Sequence, residues 1–175
     1  SSNDHDLGKS LERLTKNTRK KLYVSCIDHC PIIGQISGDT IIEELLYYDT
    51  HYQFDEICMS DTCGKLTFEK FAYIVDNVTY LGLDMDKLSL HLHISPHNIE
   101  NTVKILNYCF ENDLNKFDIS MLDTGGCSMT MKTDQILPNL SYEYFYKILY
   151  EYILEEMKKV DKFSTDKNIN KIYRK

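Results

Sequence analysis

The chain has 175 residues, 42% of them hydrophobic, and a net charge of -7. This composition fits one folded domain and excludes a disordered chain. The negative charge argues against nucleic acid as a partner, because phosphate binding requires a basic surface. No run of about 18 apolar residues is present, so we expect no membrane-spanning segment. The first residues, SSNDHDLGKS, lack a cationic apolar leader. We therefore expect a cytoplasmic protein, or a mitochondrial one if a transit peptide precedes Ser1.

The chain contains cysteines at positions 26, 30, 58, 63, 109 and 127. Since no secretory leader is visible and the chain is large enough to form a core, we expect reduced thiols in place of a disulfide framework. No CxxC pair occurs, which argues against a structural zinc cluster. Cys58 and Cys109 are interpreted as small core residues.

The hydrophobic pattern alternates between helices and strands. The predicted elements are a helix at 7–20, a strand at 21–26, a helix at 38–53, a strand at 55–61, a helix at 67–82, a strand at 87–94, a helix at 98–113, a strand at 116–123 and a helix at 141–160. Asp39 or Thr40 is the predicted cap of the helix at 38–53, and Thr67 that of the next helix, which Gly82 would end. The domain is therefore placed at 1–160, with a basic, flexible tail at 161–175.

The predicted strands begin at intervals of about thirty residues, the length of one βα unit. Strands that alternate with helices indicate an α/β fold with a parallel sheet and right-handed crossovers. Two architectures remain open at this point, a small doubly wound sheet and half of an eight-stranded barrel. The G-x-G-x-x-G turn that would favour a nucleotide-binding sheet is absent after the first strand.

Chemically reactive residues recur at the ends of the predicted strands. The first strand ends in Cys26, the second in Asp61, the third in His91 and His93, and the fourth runs into DTGGC at 123–127. The carboxyl ends of parallel strands form the active edge of such folds, so we expect these residues to lie near one another.

Each of these residues also has a structural interpretation. Asp61 and Thr62 would equally cap a turn, and Gly125 with Gly126 would supply a tight one. The histidine pair would equally be two hydrogen-bonded side chains near the surface. Because alternate residues of a strand share one side, we favour a metal site at H-x-H. Imidazole with oxygen donors and no thiolate cluster suits Mg²⁺ or Mn²⁺ as well as Zn²⁺.

Several segments resemble 3-hydroxy-3-methylglutaryl-CoA lyases, which are metal-dependent lyases of the TIM-barrel superfamily. The segments are YVSCIDHCPIIGQIS, MSDTCG, LHLHISPHNIENT, and DISMLDTGGC with PNLSYEYFYKIL. They follow the order of the family and cover roughly residues 21–150. The resemblance implies the C-terminal half of a TIM barrel, from its fifth to its eighth strand.

The resemblance also implies roles for single residues. His91, His93 and Asn139 match metal ligands, Cys127 matches a catalytic loop cysteine, and Asp61 matches a catalytic aspartate near the substrate. The implied reaction is a retro-Claisen cleavage of an acyl-CoA to acetyl-CoA and acetoacetate. In it a divalent cation holds the substrate oxygens, and Cys127 or a carboxylate protonates the enolate. The residues implied to contact the substrate are Cys26, Thr62, Gly125 and Gly126.

The chain departs from the family in three respects. Four strands are predicted where the barrel has eight, so the half that carries another metal ligand and an essential arginine is not represented. Ile94 stands where the family has an aspartate, and SMTMKTDQI at 128–136 replaces the proline and small residues that follow G-G-C in the family. Because a half-barrel exposes its edge strands, we expect a homo-oligomer or a complex with an N-terminal half.

Whether this chain alone is an enzyme therefore stays open at the level of sequence. One alternative is a truncated, non-catalytic half-barrel that serves as a binding or assembly module. The other is a carbon–carbon lyase or acyltransferase of the same superfamily that acts on a different substrate.

Overall fold

The computed structural model describes residues 7–11, 13, 17–121 and 137–172, with side chains up to residue 160. Its strands are β1 (Lys21–Ser25), β2 (His29–Cys30), β3 (Gly34–Gln35), β4 (Glu56–Asp61), β5 (Leu88–Leu92) and β6 (Phe117–Asp118). Its long helices are α1 (Gly38–Tyr52), α2 (Phe68–Tyr80), α3 (Ile99–Glu111) and α4 (Tyr142–Ile172). Residues 7–11 form a short helix near the N-terminus, and Met85–Lys87 form a 3₁₀ turn.

The main sheet is parallel, and its strand order is β1-β4-β5-β6. Each strand therefore pairs with the next one along the chain, apart from the β2–β3 hairpin, which forms a separate antiparallel pair. A doubly wound sheet reverses its strand order, whereas this sheet grows in one direction as a barrel does. The predicted α/β fold of parallel βα units is confirmed. The β2–β3 hairpin was not predicted.

The helix boundaries follow local capping interactions. The backbone N–H of Thr40 donates to the Ser37 hydroxyl at 3.1 Å, so Ser37 caps α1 and the prediction of Asp39 or Thr40 as the cap was wrong. Ser37 can do this because its backbone is extended, as a cap requires. Thr67 caps α2 as predicted, through the N–H of Lys70 at 3.3 Å.

Three elements differ in length from their predictions. A helix was predicted at 7–20, whereas residues 7–11 are helical and residues 17–20 are not. Strand β6 covers only Phe117–Asp118, whereas a strand was predicted at 116–123. Helix α4 continues to Ile172, past the predicted helix end at 160, so the predicted tail begins inside this helix. Within the part of the chain that the structure describes, no helix has both the length and the apolar character needed to cross a bilayer.

The hydrophobic core lies between the sheet and the helices. Ile57 and Met59 on β4, and Leu88 and Leu90 on β5, are fully buried together with Phe71 of α2. Because crossovers of one hand along a sequentially ordered sheet place their helices on one face, these alternate strand residues face the helical layer. Burying each such side chain contributes about 1.5–3 kcal/mol.

The other face of the sheet, called the inner face here, carries polar side chains. Strand register aligns Ser25 with Ser60, Ser60 with His91, and His91 with Asp118. Register partners in a sheet point to the same side, so these residues form one row across it. The inner face is thus polar, unlike the face that packs on the helices, and it contains His91.

Candidate functional site

The two histidines of the H-x-H motif meet at the end of β5. The Nε2 atoms of His91 and His93 lie 3.2 Å apart, and the ring planes are inclined at 82°. His91 belongs to β5, whereas His93 follows its last residue. The side chain of His93 is buried and that of His91 is partly buried.

The orientation of the His93 ring is set by the backbone. Its Nδ1 atom lies 3.0 Å from the carbonyl oxygen of Leu137. A carbonyl only accepts hydrogen bonds, so Nδ1 carries the proton and the Nε2 lone pair accepts a hydrogen bond from the Nε2–H of His91. Burial lowers the pKa of both imidazoles. Both rings are therefore held toward the neutral form, in which imidazole binds a metal.

Asn139 is brought to the same place by backbone pairing. It forms an antiparallel bridge with His93, supported by N–H···O bonds from Ile94 to Pro138 and from Leu140 to Leu92, both 2.8 Å long. Directly opposed residues of an antiparallel pair share one side, with Cβ atoms about 4.5–5.5 Å apart. The structure thus brings Asn139 beside the His91–His93 pair, although it lies far along the chain from both histidines.

This arrangement fits a divalent cation. Two metal–nitrogen bonds of about 2.1 Å at angles between 90° and 110° separate the nitrogens by about 3.0–3.4 Å, which includes the distance observed between His91 and His93. The Asn139 amide would add an oxygen donor of the kind that Mg²⁺ and Mn²⁺ accept. Among the described residues no cluster of three or more His, Cys, Asp or Glu side chains could hold a metal. Further ligands would therefore be water, substrate or another protein segment.

Asp61 makes structural contacts at the end of β4. Its carboxylate accepts backbone hydrogen bonds from Lys65 at 3.1 Å and from Leu66 at 2.9 Å, so it organises the turn that leads to α2. It is only 2% exposed, and burial raises the pKa of this carboxyl to about 6. The turn-capping interpretation of Asp61 thus describes its contacts, and its catalytic role stays a prediction.

Cys26 and Thr62 lie side by side at the neighbouring strand ends. The backbone N–H of Cys26 donates to the Thr62 hydroxyl at 3.2 Å. Cys26 has a positive φ of 61°, which turns the chain away from β1 toward the hairpin. Their proximity agrees with a shared active edge, and substrate contact by either residue stays a prediction. Gly125, Gly126 and Cys127 lie outside the described residues.

Gly64, in the MSDTCG segment, has a spatial role that the sequence reading did not assign. Its φ is +57°, and a Cβ atom there would lie 2.6 Å from Leu137 Cδ1 and 3.1 Å from the His93 carbonyl oxygen. A side chain at this position would therefore push against the segment that orients His93. The sequence signal was present, because the glycine ends a motif in which Asp61 and Thr62 were assigned roles.

Asp118 is a second residue that the sequence reading missed. It neighbours His91 on the inner face and pairs with Lys21 Nζ at 2.9 Å. Tyr23 also donates its hydroxyl proton to this carboxylate. Asp118 offered only a weak signal, because it lies inside a predicted strand and not at its end.

A surface cavity of about 420 Å³ opens beside Asn139. Its wall is formed by Ile94, Pro138, Asn139 and Ser141, and by Glu143, Tyr144 and Lys147 of α4. The cavity therefore combines apolar wall atoms with one carboxylate and one ammonium group, next to the amide of a candidate metal ligand.

No protein-family profile matches the sequence. No curated protein matches it either. Solved structures do match, and those below have TM-scores between 0.65 and 0.70.

The HMG-CoA lyase from Brucella melitensis is 22% identical with a TM-score of 0.65, and the match covers 82% of this chain and 51% of that one. The HMG-CoA lyase from Acinetobacter baumannii, solved with coenzyme A and 3-methylmalate, is 21% identical with a TM-score of 0.70. This match covers 85% of this chain and 46% of that one. The hydroxymethylglutaryl-CoA lyase from Pseudomonas aeruginosa is 19% identical with a TM-score of 0.65, and the match covers 82% of this chain and 48% of that one.

The chain spans about half the length of the structures it matches. At these identities the likeness concerns the fold. The parallel sheet, its sequential strand order and these matches together identify a partial hydroxymethylglutaryl-CoA-lyase-like α/β fold.

Proposed function

We propose that the chain supplies the metal-binding half of a divalent-cation-dependent carbon–carbon lyase that acts on an acyl-CoA. The observation that carries the proposal is the convergence of His91 and His93, at 3.2 Å between Nε2 atoms, with Asn139 paired to His93. In the proposed assignment this half corresponds to the fifth to eighth strands of the barrel. Its reaction is the cleavage of 3-hydroxy-3-methylglutaryl-CoA to acetyl-CoA and acetoacetate.

The residues present would each contribute a separate function. His91, His93 and Asn139 would hold Mg²⁺ or Mn²⁺, with Zn²⁺ as the alternative, and such a cation polarises substrate oxygens and lowers the pKa of a hydroxyl group. The Leu137 carbonyl holds the proton of His93 on Nδ1, so its Nε2 lone pair would bind the cation in place of the hydrogen bond from His91. Cys127 is proposed to deliver the proton that the product enolate requires.

An acyl-CoA is the proposed ligand for two reasons. The related structure from Acinetobacter baumannii holds coenzyme A and 3-methylmalate. In this chain the cavity beside Asn139 has apolar walls for an acyl or pantetheine group, and Lys147, which shares the wall with Glu143, offers a cation for a phosphate. Cys26, Thr62, Gly125 and Gly126 are proposed to contact the acyl end.

We further propose that activity requires a second protein segment. The candidate ligand set of two imidazoles and one amide lacks the carboxylate through which Mg²⁺ is usually held. Either a second copy of the chain or an N-terminal half-barrel would complete it. A cytoplasmic or mitochondrial location is compatible with a reduced Cys127.

A non-catalytic metal-binding module is the second candidate. The observation that favours it concerns Ile94, the residue directly after His93. Ile94 packs against the hydrophobic core, whereas the lyase pattern has a carboxylate there. A chain that binds the ion without a neighbouring carboxylate would keep the fold and lack turnover.

Metal binding and turnover are measured separately on the purified chain. Mn²⁺ binding is followed by electron paramagnetic resonance, and acetoacetate release from 3-hydroxy-3-methylglutaryl-CoA by a coupled assay. We expect His91→Ala and His93→Ala to abolish Mn²⁺ binding. The control His97→Ala should retain it, because His97 is exposed and lies beyond β5.

The outcomes separate the candidates. Mn²⁺-dependent acetoacetate release, with or without an added N-terminal half, supports the lyase. Mn²⁺ binding with no release under either condition supports the non-catalytic module. Unchanged Mn²⁺ affinity in both histidine variants would contradict the metal site itself.

A further inference from the structure

The second nitrogen of the His91 ring is buried without a hydrogen bond. Its Nδ1 atom is shielded from solvent and has no hydrogen-bond partner among the residues that the structure describes. The same atom of His93 has a partner, the Leu137 carbonyl oxygen at 3.0 Å. Buried polar atoms are seldom left unpaired, because nothing then compensates their loss of hydration. The Nδ1 atom of His91 therefore indicates a contact that forms in another state of the site.

The tautomer of His91 explains why this bond is missing. Since His93 carries its proton on Nδ1, its Nε2 atom only accepts. The 3.2 Å contact between the two Nε2 atoms therefore places the proton of His91 on Nε2. A neutral imidazole has a single N–H, so the Nδ1 atom of His91 is a lone pair that requires a donor. A neighbouring carboxylate offers no such donor.

Two side chains flank His91 on the inner face. Strand register pairs His91 with Ser60 on β4 and with Asp118 on β6. Adjacent strands lie about 4.8 Å apart, so both side chains are near the ring. Burial lowers the pKa of His91, and the negative charge of Asp118 partly offsets this effect, which agrees with a carboxylate close to the imidazole.

We propose that Asp118 is a positioning residue, whose carboxylate accepts the Nδ1–H of His91 when His91 binds a divalent cation through Nε2. This inference rests on the proposed function, because it concerns the same cation. His91 offers a lone pair on Nε2 only after the proton leaves that atom. The proton is transferred through solvent to Nδ1, so the ring stays neutral and no net proton is released.

The new hydrogen bond would have two effects on the site. A charge-assisted bond to a carboxylate is stronger than a bond between neutral groups, so it would fix the orientation of the His91 ring. It would also make the Nε2 atom more basic and thus a better ligand. His91 and His93 would then each hold their Nδ1 proton against a fixed oxygen, the first on Asp118 and the second on Leu137.

The Asp118 carboxylate is already held in place and has acceptor capacity left. Lys21 Nζ lies 2.9 Å from its Oδ1 atom, and the Tyr23 hydroxyl donates to Oδ2. Each carboxylate oxygen has two lone pairs, so a further bond from His91 is possible without loss of these contacts. Lys21 is in turn fixed by Glu56 at 2.7 Å. Strand β1 would thus support a metal ligand on β5.

Two measurements on the purified full chain test the proposal. Nitrogen-15 spectra of the histidine rings report each tautomer, and calorimetric titration with Zn²⁺, which is diamagnetic, reports affinity. We expect the His91 proton on Nε2 in the metal-free chain and on Nδ1 after Zn²⁺ is added. Asp118→Asn should weaken Zn²⁺ binding by about tenfold. In this variant the Nδ1 proton of His91 should resonate upfield of its position in the unaltered chain, because the charged acceptor is absent.

Two control variants separate the acceptor role from packing. Tyr23→Phe removes a contact of Asp118 and keeps the carboxylate, and Ser60→Ala removes the hydroxyl on the other side of His91. Both should bind Zn²⁺ as the unaltered chain does. A loss of affinity in Tyr23→Phe as large as that in Asp118→Asn would assign the effect to packing between the edge strands. A loss in Ser60→Ala without one in Asp118→Asn would make Ser60 the partner. Either result would overturn the proposal.

The spectra also separate this proposal from the proposed function. Zn²⁺ binding that leaves the His91 proton on Nε2 would overturn the role of Asp118 and keep the metal site. The absence of any Zn²⁺ binding to the chain would overturn both.

Discussion

Tyr23, on one edge strand of the sheet, donates a hydrogen bond to Asp118, on the opposite edge strand. Lys21, also on β1, forms an ion pair with the same carboxylate at 2.9 Å. The two edges of a flat four-stranded sheet would lie about 14 Å apart, farther than a tyrosine and an aspartate can span. The sheet is therefore curled toward its polar inner face, as a segment of a barrel is.

Removing the Asp118 carboxylate should weaken the contacts that hold the two edge strands together. We expect Asp118→Ala to lower the free energy of unfolding by about 1 kcal/mol, because the contacts are partly exposed. Tyr23→Phe should have a smaller effect, since it removes only one hydrogen bond. Urea unfolding measures both, with Glu44→Gln on the exposed side of α1 as the control.

The contribution of Asp118 should depend on pH. Burial alone would raise the pKa of this carboxyl, but hydrogen bonds from Tyr23 and Lys21 lower it below its usual value. A lowered pKa stabilises the fold above the unfolded pKa of about 4 and the benefit is lost as pH falls through the folded value. The difference in unfolding free energy between Asp118→Ala and the unaltered chain should thus shrink below pH 4. A difference that stays constant with pH would contradict the pairing of Asp118 with Tyr23 and Lys21.

Asp61 should have the opposite pH dependence. Its folded pKa is raised to about 6 by burial, so ionisation opposes folding. The protonated form is favoured in the fold, and that advantage is lost as pH rises from the unfolded value through about 6. We expect the unaltered chain to lose about 2 kcal/mol of unfolding free energy relative to Asp61→Asn between pH 4 and pH 7. If the unfolding free energies of the two proteins changed with pH in parallel, the raised pKa of Asp61 would be contradicted.

Asn139 should contribute an oxygen to the bound ion. We expect Asn139→Ala to weaken Mn²⁺ binding by about tenfold, and Asn139→Asp to restore it, because a carboxylate is the stronger oxygen donor for this ion. Titration followed by electron paramagnetic resonance measures both. The control is Asn115→Ala, at an exposed loop position. Equal affinity in the alanine variant and the unaltered chain would remove Asn139 from the site.

Gly64 should be required for the orientation of His93. A methyl group there would meet Leu137 and the His93 carbonyl, so we expect Gly64→Ala to weaken Mn²⁺ binding by about tenfold. Gly82→Ala is the matched control, because Gly82 also has a positive φ of 101° but has no atom within 4 Å of the added carbon. Both variants incur the backbone cost of a positive φ, and only Gly64→Ala should affect the metal. An equal loss of Mn²⁺ affinity in Gly64→Ala and Gly82→Ala would point to backbone strain alone.

The His93 tautomer is open to direct measurement. Nitrogen-15 spectra of the histidine rings should show a proton on Nδ1 of His93 and none on Nε2, because the Leu137 carbonyl accepts from Nδ1. Addition of Zn²⁺ should shift the Nε2 resonance and leave Nδ1 protonated. A proton on Nε2 of His93 in the metal-free chain would contradict the described geometry.

The regular elements could be predicted because their causes are local. Alternating and helical hydrophobic periods placed β1, β4 and β5 and the cores of α1 to α3 within a few residues, and the side-chain alternation of H-x-H placed both histidines on one side. Short elements have no such period. The two-residue strands β2 and β3 were missed, and β6 was predicted too long, because pairing partners and not periodicity define them.

The sequence by itself determined the class of the fold, the parallel arrangement of its strands and the concentration of reactive residues at the strand ends. These follow from hydrophobic spacing and from chain direction, which act over a few residues. Only the tertiary structure decided that Asn139 pairs with His93, that Gly64 packs against Leu137 and that the sheet curls until Tyr23 reaches Asp118. Such contacts join distant parts of the chain, and they form only when many strands and helices pack at once.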